Sequence, residues 1–317
     1  MKKLVAVLAS LTLLTGCSAP QEQNVETVRL ATHESFYISD EQKAEFKSLT
    51  GFDLEVISLG DTGAVTNQLV LTKNAPVADA VYGIDNTFAS VALSNGITEE
   101  LVEINYGDVC FNYDIQWFEE NKLTPPESWR DLGRPEYEGL TVISNPNLSS
   151  PGLAFLATTH AGFETSAEVF AYWRSLRDNG LKVASSWTDA YFTNFTRYGG
   201  DRPIVLSYAS SPAAEVQDGV AGSASLTDEC FRQYEYAGVL TGGANAKGAQ
   251  ALIDYLLTDS FQQSLPWNMF VYPTKDVELP GEFEQFAPPA KSTIGEELDL
   301  ASNRVQWLRD WSDVFDN

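Results

Sequence analysis

Apolar runs alternate with longer amphipathic segments through most of the chain. This pattern predicts β-strands and α-helices in turn, because a buried strand is short and apolar whereas a surface helix is apolar on one face. In the first third, strands are predicted at residues 28–32, 53–58 and 77–84, and helices at residues 39–49, 63–72 and 86–94. Repeated βα units of this length predict a parallel sheet covered by helices on both faces, so the predicted fold class is α/β.

Local signals mark the ends of two of these helices. Ser39 and Gln42 form a capping-box pattern, and Gly51 is placed to end the same helix. Asp61 stands before the second helix, where a carboxylate most often serves as an N-cap. A ligand contact by Asp61 is compatible with that role, because a carboxylate has several acceptor positions.

Two β-rich runs, residues 104–113 and 230–240, interrupt the alternation. Between and after them the sequence predicts a strand at 140–144 and helices at 128–132, from 149 onward, at 166–177, 246–258, 260–265 and 303–314. Two long strands at the ends of an inserted α/β segment are what a two-stranded hinge requires. We therefore expect lobe 1 to comprise residues 28–109 and 236–317, and lobe 2 to comprise residues 110–235.

Cys110 and Cys230 lie one in each β-rich run. If the two strands are adjacent, these thiols can form a disulfide in an exported protein. The alternative is a pair of separate buried thiols, because free cysteine packs well in protein interiors.

The N-terminus has the pattern of an export signal. Lys2 and Lys3 precede an apolar run at residues 4–14, which is too short to span a bilayer and ends in Leu14-Thr15-Gly16-Cys17. That ending resembles the bacterial lipoprotein processing box, which implies a signal peptide at residues 1–16 and a lipid on Cys17. Residues 17–27 then form an anchor and flexible tether, and the protein is expected outside the cytoplasm, attached to the cell membrane. An ordinary cleaved signal with a nearby free cysteine is the alternative.

The chain is strongly acidic, with a formal net charge of −24 at pH 7. Such a surface repels nucleic acid and anionic lipid and favours encounter with cations. It specifies no ligand, since negative charge also serves as a solubility device in exported proteins.

The stretch from residue 185 to residue 212 combines aromatic and hydroxyl side chains around a short apolar run. It predicts a helix, a turn at Gly199-Gly200, a buried strand at 203–207 and a polar strand end that starts another helix. Trp187 facing the hydroxyls of Tyr208, Ser210 and Ser211 suits a flat or cationic small molecule. Alternatively, Trp187 and Tyr191, four residues apart, pack one helix face against the core.

The order of motifs is similar to that of the thiamine-binding proteins of bacterial ABC transporters, which are two-lobed solute-binding proteins. This resemblance implies a type II periplasmic-binding-protein-like fold, with two parallel or mixed sheets joined by a two-strand hinge. It covers nearly everything after residue 28. The matching segments are Thr32-x-x-Ser35-Phe36, Leu59-x-Asp61, Val81-x-Gly83-Ile84-Asp85-Asn86, Asn145-Pro146-x-x-Ser149-Ser150-Pro151-Gly152-Leu153, Trp187-x-x-Ala190-Tyr191, Leu206-Ser207-Tyr208-x-x-Ser211-Pro212 and Tyr272-Pro273.

The resemblance also implies a thiamine site between the lobes, and a thiamine phosphate, its pyrimidine fragment or a related heteroaromatic cation are the alternative ligands. It further implies an ABC-transporter permease as partner, for a protein that is a monomer and carries no cofactor. The implied ligand contacts are Asp61, Thr62, Ser149, Ser150, Trp187, Tyr208, Ser210 and Ser211. The chain departs from the family pattern at three expected aromatic positions. Ala214 replaces one of them, Phe270 stands where a Trp is expected, and at the third, near Asp40, Tyr37 is close enough to substitute. Phe270 and Tyr37 are therefore also predicted ligand contacts.

An enzyme is the competing class of function. The chain has two histidines, His33 and His160, and it lacks a Walker loop, a His-Glu-x-x-His motif and a Gly-x-Ser-x-Gly motif. A secreted lipoprotein hydrolase is therefore the weaker alternative, and the sequence predicts a protein that is not an enzyme. Among binding proteins of the same fold, an iron(III) or polyamine receptor is the nearest alternative.

Overall fold

The computed structural model describes residues 26–316. The predicted signal peptide, Cys17 and nearly all of the predicted tether lie outside the described residues. Within the described part, no helix combines the length and the apolar character needed to cross a membrane.

The described residues form one mixed sheet in the order β2-β1-β3-β8-β4-β7-β5-β6, with β9 paired to β4. The strands are β1 (Thr27–Thr32), β2 (Asp53–Ser58), β3 (Ala80–Asp85), β4 (Val102–Asp114), β5 (Thr141–Ser144), β6 (Lys182–Ala184), β7 (Ile204–Tyr208), β8 (Ser223–Val239) and β9 (Tyr272–Pro273). Pairing is parallel at both ends of the sheet, among β1, β2 and β3 and among β5, β6 and β7. It is antiparallel in the middle, where β4 and β8 pair with each other.

Ten α-helices connect the strands within the described part of the chain. They are α1 (Asp40–Thr50), α2 (Thr62–Thr72), α3 (Ala89–Ser94), α4 (Ile115–Asn121), α5 (Ser150–Gly162), α6 (Ser166–Asp178), α7 (Ala246–Leu256), α8 (Asp259–Asn268), α9 (Gly281–Phe286) and α10 (Leu300–Asp316). Shorter 3-10 turns occupy Trp129–Gly133, Pro135–Tyr137, Thr196–Tyr198 and Ser211–Glu215, and a π-helical turn occupies Asp189–Asn194.

The predicted helix signals act as expected. Both halves of the Ser39/Gln42 capping box are present, and Gly51 ends α1 in the left-handed conformation with φ of 83°. Asp61 is the N-cap of α2. The predicted α/β fold class is therefore confirmed, with a central antiparallel pair where the βα pattern alone predicted parallel strands.

Strands β4 and β8 cross the middle of the molecule and pair over most of their length. A disulfide joins Cys110 of β4 to Cys230 of β8, with Cα atoms 4.9 Å apart. It lies beside a register shift between Val109 and Phe111, where Glu229 has a positive φ of 55°. The disulfide thus covalently links the two strands at an irregular point of their pairing.

The C-terminal helix α10 contacts elements on both sides of these strands. It packs mainly on α6, where Trp311 lies against Trp173 with ring centroids 6.0 Å apart. It also reaches α3, and Arg304 lies 4.5 Å over the ring of Phe88. Residues 300–316 therefore contact both predicted lobes, although the sequence assigned them to lobe 1.

Candidate functional site

The carboxyl ends of the parallel strands from both halves of the sheet face one cleft of about 280 Å³. His33 follows β1 and Asp61 follows β2, and on the other side Tyr208 ends β7 and Ser150 begins α5. Ligands of open α/β sheets bind outside such strand ends. The cleft is therefore the candidate binding site.

One wall of the cleft is aromatic. Trp187 stacks on Tyr191, with ring centroids 5.1 Å apart and planes inclined by 16°. Phe192 and Tyr198 continue this wall and keep 47% and 40% of their surface exposed. Exposed aromatic rings at the rim of a cleft provide apolar surface that a flat ligand can cover.

Trp187 is held in place by polar contacts as well as by stacking. Its indole Nε1 donates to Ser207 Oγ at 2.9 Å, and Ser207 Oγ lies 2.8 Å from Ser211 Oγ. Tyr208 meets Trp187 at a steep angle, with ring centroids 6.1 Å apart. Gly107 of β4 makes room for the Tyr208 ring, because a Cβ at that position would lie 3.0 Å from Tyr208 Cδ1.

Asp61 links the two sides of the cleft. Its Oδ1 accepts from the backbone N–H of Thr62 at 2.8 Å, which caps α2, and its Oδ2 accepts from the backbone N–H of Trp187 at 2.9 Å. Nearby, the backbone N–H of Gly63 donates to Leu148 O at 3.0 Å. The start of α2 is thus hydrogen-bonded to two segments of the predicted lobe 2.

The floor of the cleft is a buried polar cluster around Glu235 of β8. His33 Nε2 lies 3.0 Å from Glu235 Oε1, and Glu235 Oε2 accepts from Tyr82 Oη at 2.7 Å and from Asn105 Nδ2 at 3.0 Å. The backbone N–H of Ser35 donates to His33 Nδ1 at 3.2 Å. Gly83, with φ of 91°, is required beside this cluster, because a Cβ there would lie 2.1 Å from His33 Cδ2.

These contacts shift the protonation equilibria of the floor. Burial opposes ionisation of Glu235, but the charge on His33 and the surrounding hydrogen bonds outweigh it and lower the pKa of Glu235. Burial likewise disfavours charge on His33, and the Glu235 carboxylate outweighs it and raises the pKa of His33. For Asp61, burial dominates and raises the pKa, while the nearby Ser149 hydroxyl and hydrogen bonds from backbone N–H groups oppose the shift.

Asp85 lies behind the floor, fully buried at the end of β3. Its Oδ1 accepts from the backbone N–H of Thr87 at 2.8 Å and from the Thr87 hydroxyl at 2.5 Å. Burial raises the pKa of Asp85 to about 6, although the nearby Ser150 hydroxyl and the hydrogen bonds from Thr87 oppose the shift. Its carboxyl therefore titrates close to neutral pH.

The charge lining the cleft is predominantly negative. Asp61 and Glu235 line it together with His33, and no Lys or Arg is found among its described lining residues. The part of the chain that the structure describes also has no group of three or more His, Cys, Asp or Glu side chains placed to hold a metal ion. An aromatic wall opposite carboxylates favours a flat cation.

The structure brings most of the predicted contact residues to this cleft. The lining includes Asp61, Thr62, Ser150, Trp187, Tyr208, Ser210, Ser211 and Phe270. The buried Ser210 hydroxyl donates to the backbone oxygen of Phe270, which has a positive φ of 54°. Ala214, at a position where the family has an aromatic, also lines the cleft.

Two predicted contact residues lie outside the cleft wall. Ser149 is fully buried and donates its hydroxyl to Ser144 Oγ at 2.8 Å. Tyr37 is 52% exposed, because the preceding residue, Phe36, turns inward and packs on Tyr82 with ring centroids 4.8 Å apart. Neither side chain is among those that line the cleft.

Sequence reasoning missed the polar floor. Asn105 and Gly107 alternate along β4, and Gln233 and Glu235 alternate along β8, so each pair faces the cleft from one side of its strand. The sequence signal that could have indicated the polar floor was the presence of polar side chains at alternate positions of a buried strand.

The sequence of the chain is similar to those of bacterial solute-binding proteins. The model of the family described as "Bacterial extracellular solute-binding protein" matches residues 75–295. The chain is 26% identical over 328 residues to the thiamine-binding periplasmic protein of Escherichia coli strain K12, covering 95% of this chain and 97% of the relative.

Solved structures share the fold. A periplasmic thiamin binding protein superimposes with a TM-score of 0.81 at 23% identity, covering 91% of this chain and 96% of that one. The apo ferric ion-binding protein A of Pasteurella haemolytica superimposes with a TM-score of 0.73 at 14% identity, covering 92% of this chain and 99% of that one. The predicted two-lobed, type II periplasmic-binding-protein-like fold is therefore confirmed.

Proposed function

We propose that this chain, which belongs to the bacterial extracellular solute-binding protein family, captures thiamine or a closely related heteroaromatic cation and delivers it to an ABC transporter. The general role, binding a solute outside the cytoplasm, follows from the family and from relatives that are binding proteins rather than enzymes. The identity of the solute is the part that we propose.

The observation that carries the proposal is the composition of the cleft. Trp187 and its aromatic neighbours form one wall, and the carboxylates of Asp61 and Glu235 face the same space, with no Lys or Arg among the lining residues that the structure describes. Thiamine has two flat rings and a permanent positive charge, so it can stack on the wall while Asp61, the carboxylate that is not paired with His33, compensates its charge. The names of the full-length relative and of the structural neighbour support the same ligand.

Both carboxylates already have hydrogen-bond or ion-pair partners within the protein, which favours an organic cation over a metal ion as the ligand. Both oxygens of Asp61 accept backbone N–H bonds, and both oxygens of Glu235 face donors from His33, Tyr82 or Asn105. Binding iron through these groups requires breaking several of these contacts. A cation held by stacking and by longer-range attraction leaves them intact.

The remaining parts of the proposal concern attachment and movement. We propose that Cys17 carries a lipid that retains the protein at the cell membrane, with an ABC-transporter permease as its partner and a monomer as its functional state. We also propose that β4 and β8 form the hinge between lobe 1 (28–109 and 236–317) and lobe 2 (110–235). These boundaries fall within β4 and β8, the two long strands in the middle of the sheet.

A calorimetric panel tests the ligand assignment. The purified protein is titrated with thiamine, spermidine and ferric citrate, and each thiamine incubation is then analysed by mass spectrometry. We expect saturable 1:1 binding of thiamine and recovery of unchanged thiamine. Binding of only spermidine or iron supports the corresponding receptor, and conversion of thiamine to a product supports the hydrolase alternative.

A further inference from the structure

The floor of the cleft contains a buried hydrogen-bond acceptor that no group in the described part of the chain satisfies. Asn105 is 1% exposed and lines the cleft, and its Oδ1 has no hydrogen-bond partner among the described residues. An unpaired buried acceptor costs free energy, so native structures usually satisfy such atoms. This oxygen is therefore a candidate contact for a ligand.

The orientation of the Asn105 amide follows from its neighbours. Its Nδ2 lies 3.0 Å from Glu235 Oε2 and also bonds Tyr82 Oη. An ionised carboxylate only accepts hydrogen bonds, so the amide nitrogen, rather than the amide oxygen, must face Glu235. Tyr82 Oη donates its single hydrogen to Glu235, so it too presents only an acceptor to the Asn105 amide.

The amide nitrogen thus faces two acceptors, Glu235 Oε2 and Tyr82 Oη, and the opposite orientation is disfavoured. Rotating the amide by 180° would place its oxygen against Glu235 Oε2, which brings two acceptors together at hydrogen-bonding distance. Glu235 itself is held by Tyr82 and by the ion pair with His33. The cluster therefore fixes Asn105 with its oxygen free to accept.

We infer that Asn105 Oδ1, oriented by Glu235, selects ligands that present an N–H donor on a flat ring. This inference rests on the proposed function, because the exocyclic amine of thiamine's aminopyrimidine ring is such a donor. A ring with a carbonyl in place of the amine presents an acceptor to an acceptor, and the site rejects it. Asn105 is then a specificity-determining residue, and Glu235 is the residue that positions it.

Three cationic ligands allow the contribution of the Asn105 contact to affinity to be separated from the contributions of charge and stacking. Thiamine and pyrithiamine both have the aminopyrimidine ring, whereas oxythiamine has a carbonyl in place of the amine. In the wild type we expect oxythiamine to bind about 10-fold to 100-fold more weakly than thiamine, from the cost of one unpaired buried polar group. Pyrithiamine should bind within about 3-fold of thiamine, since the group facing Asn105 is unchanged.

Two variants test the assignment to Asn105 and Glu235. Asn105→Ala removes the acceptor, and Glu235→Gln supplies an amide that can donate to Asn105 Oδ1 and permit its rotation. Both should reduce the preference for thiamine over oxythiamine to less than about 3-fold. Because both ligands are cations, the ratio of their affinities cancels the loss of charge in Glu235→Gln.

Glu103→Gln is the matched control. Glu103 lies outside the cleft and accepts from the Thr274 hydroxyl at 2.6 Å, so its replacement removes one charge without changing the floor. This variant should keep the wild-type preference. Circular dichroism identifies which variants are folded, and Asn105→Ala decides the matter if Glu235→Gln does not fold.

The outcomes distinguish the two proposals. Equal binding of thiamine and oxythiamine by the wild type overturns the inference but leaves thiamine binding intact. A wild-type preference that persists in the folded variants also overturns it. Failure of the wild type to bind thiamine at all overturns both the proposed function and this inference.

Discussion

Replacing Asp61 by Asn separates the two contacts that its carboxylate makes. Oδ1 caps α2 through Thr62, and Oδ2 accepts from the backbone N–H of Trp187 on the other side of the cleft. Asn keeps one oxygen and replaces the other by an amide nitrogen. Because Asn caps a helix about as well as Asp, the oxygen can stay at Thr62, and the new N–H group then faces the N–H group of Trp187.

The substitution removes the hydrogen bond from the Trp187 backbone N–H to the charged Asp61 carboxylate. A hydrogen bond to a charged acceptor contributes about 1.5 to 3 kcal/mol. If this bond forms when the lobes close on a ligand, thiamine affinity should fall by about 10-fold to 150-fold. The loss of the negative charge beside a cation acts in the same direction. The helix cap is retained, so we expect a small change in the melting temperature of the ligand-free protein.

The assay is a calorimetric titration with thiamine together with thermal unfolding of the ligand-free protein. Asp299→Asn is the control, because Asp299 is exposed and accepts from the backbone N–H of Ser302 at the start of α10, far from the cleft lining. It should bind thiamine like the wild type. An Asp61→Asn variant with unchanged affinity and a lower melting temperature would show that Asp61 serves only as a helix cap.

Three further predictions follow from single features. Asp85, whose pKa burial raises to about 6, binds its proton more tightly in the folded than in the unfolded state, so the contribution of Asp85 to stability should fall as pH rises from 4 to 8. Asp85→Asn should therefore leave the free energy of unfolding nearly unchanged at pH 4 and raise it by up to about 3 kcal/mol at pH 8, as measured by urea unfolding. An equal effect at both pH values would contradict a raised pKa of Asp85. Replacing Cys110 and Cys230 by Ala should destabilise the protein by about 2 to 4 kcal/mol in the same assay, and two reactive thiols in the denatured, unreduced soluble domain without Cys17 would rule out the bridge. Cys17→Ser should release the protein into the medium or block its maturation, and unchanged membrane retention would contradict the lipid anchor.

Local sequence signals were sufficient for much of the fold. The Ser39 capping box, Gly51 and the N-cap Asp61 lie where predicted, because each depends on contacts within one helix turn. Residues 186–198 were harder, since a helix was predicted and the structure has a π-helical turn followed by a 3-10 turn. There Trp187 and Tyr191 stack on each other, as the packing alternative predicted. Both also line the cleft, and a ligand contact by Trp187 stays a prediction.

The floor of the cleft could not be predicted in the same way. His33, Tyr82, Asn105 and Glu235 come from four strands or strand ends, and Tyr82 and Glu235 are 153 residues apart in sequence. Their contacts depend on the pairing of β4 with β8 and of β3 with β8, including the shift beside Gly83. Residue patterns indicate which face of a strand is polar, but they do not indicate which strands are neighbours.

The most direct test of a thiamine site in this cleft is the affinity of Trp187→Ala for thiamine. Removing the indole should abolish stacking and cation-π contributions together worth about 2 to 4 kcal/mol, an affinity loss of about 30-fold to 1000-fold. Trp117→Ala, which removes a partly buried indole outside the cleft, should lose stability without losing affinity. Unchanged thiamine affinity in Trp187→Ala, with a melting temperature lowered as in Trp117→Ala, would show that Trp187 is a core residue and that the cleft is not the thiamine site.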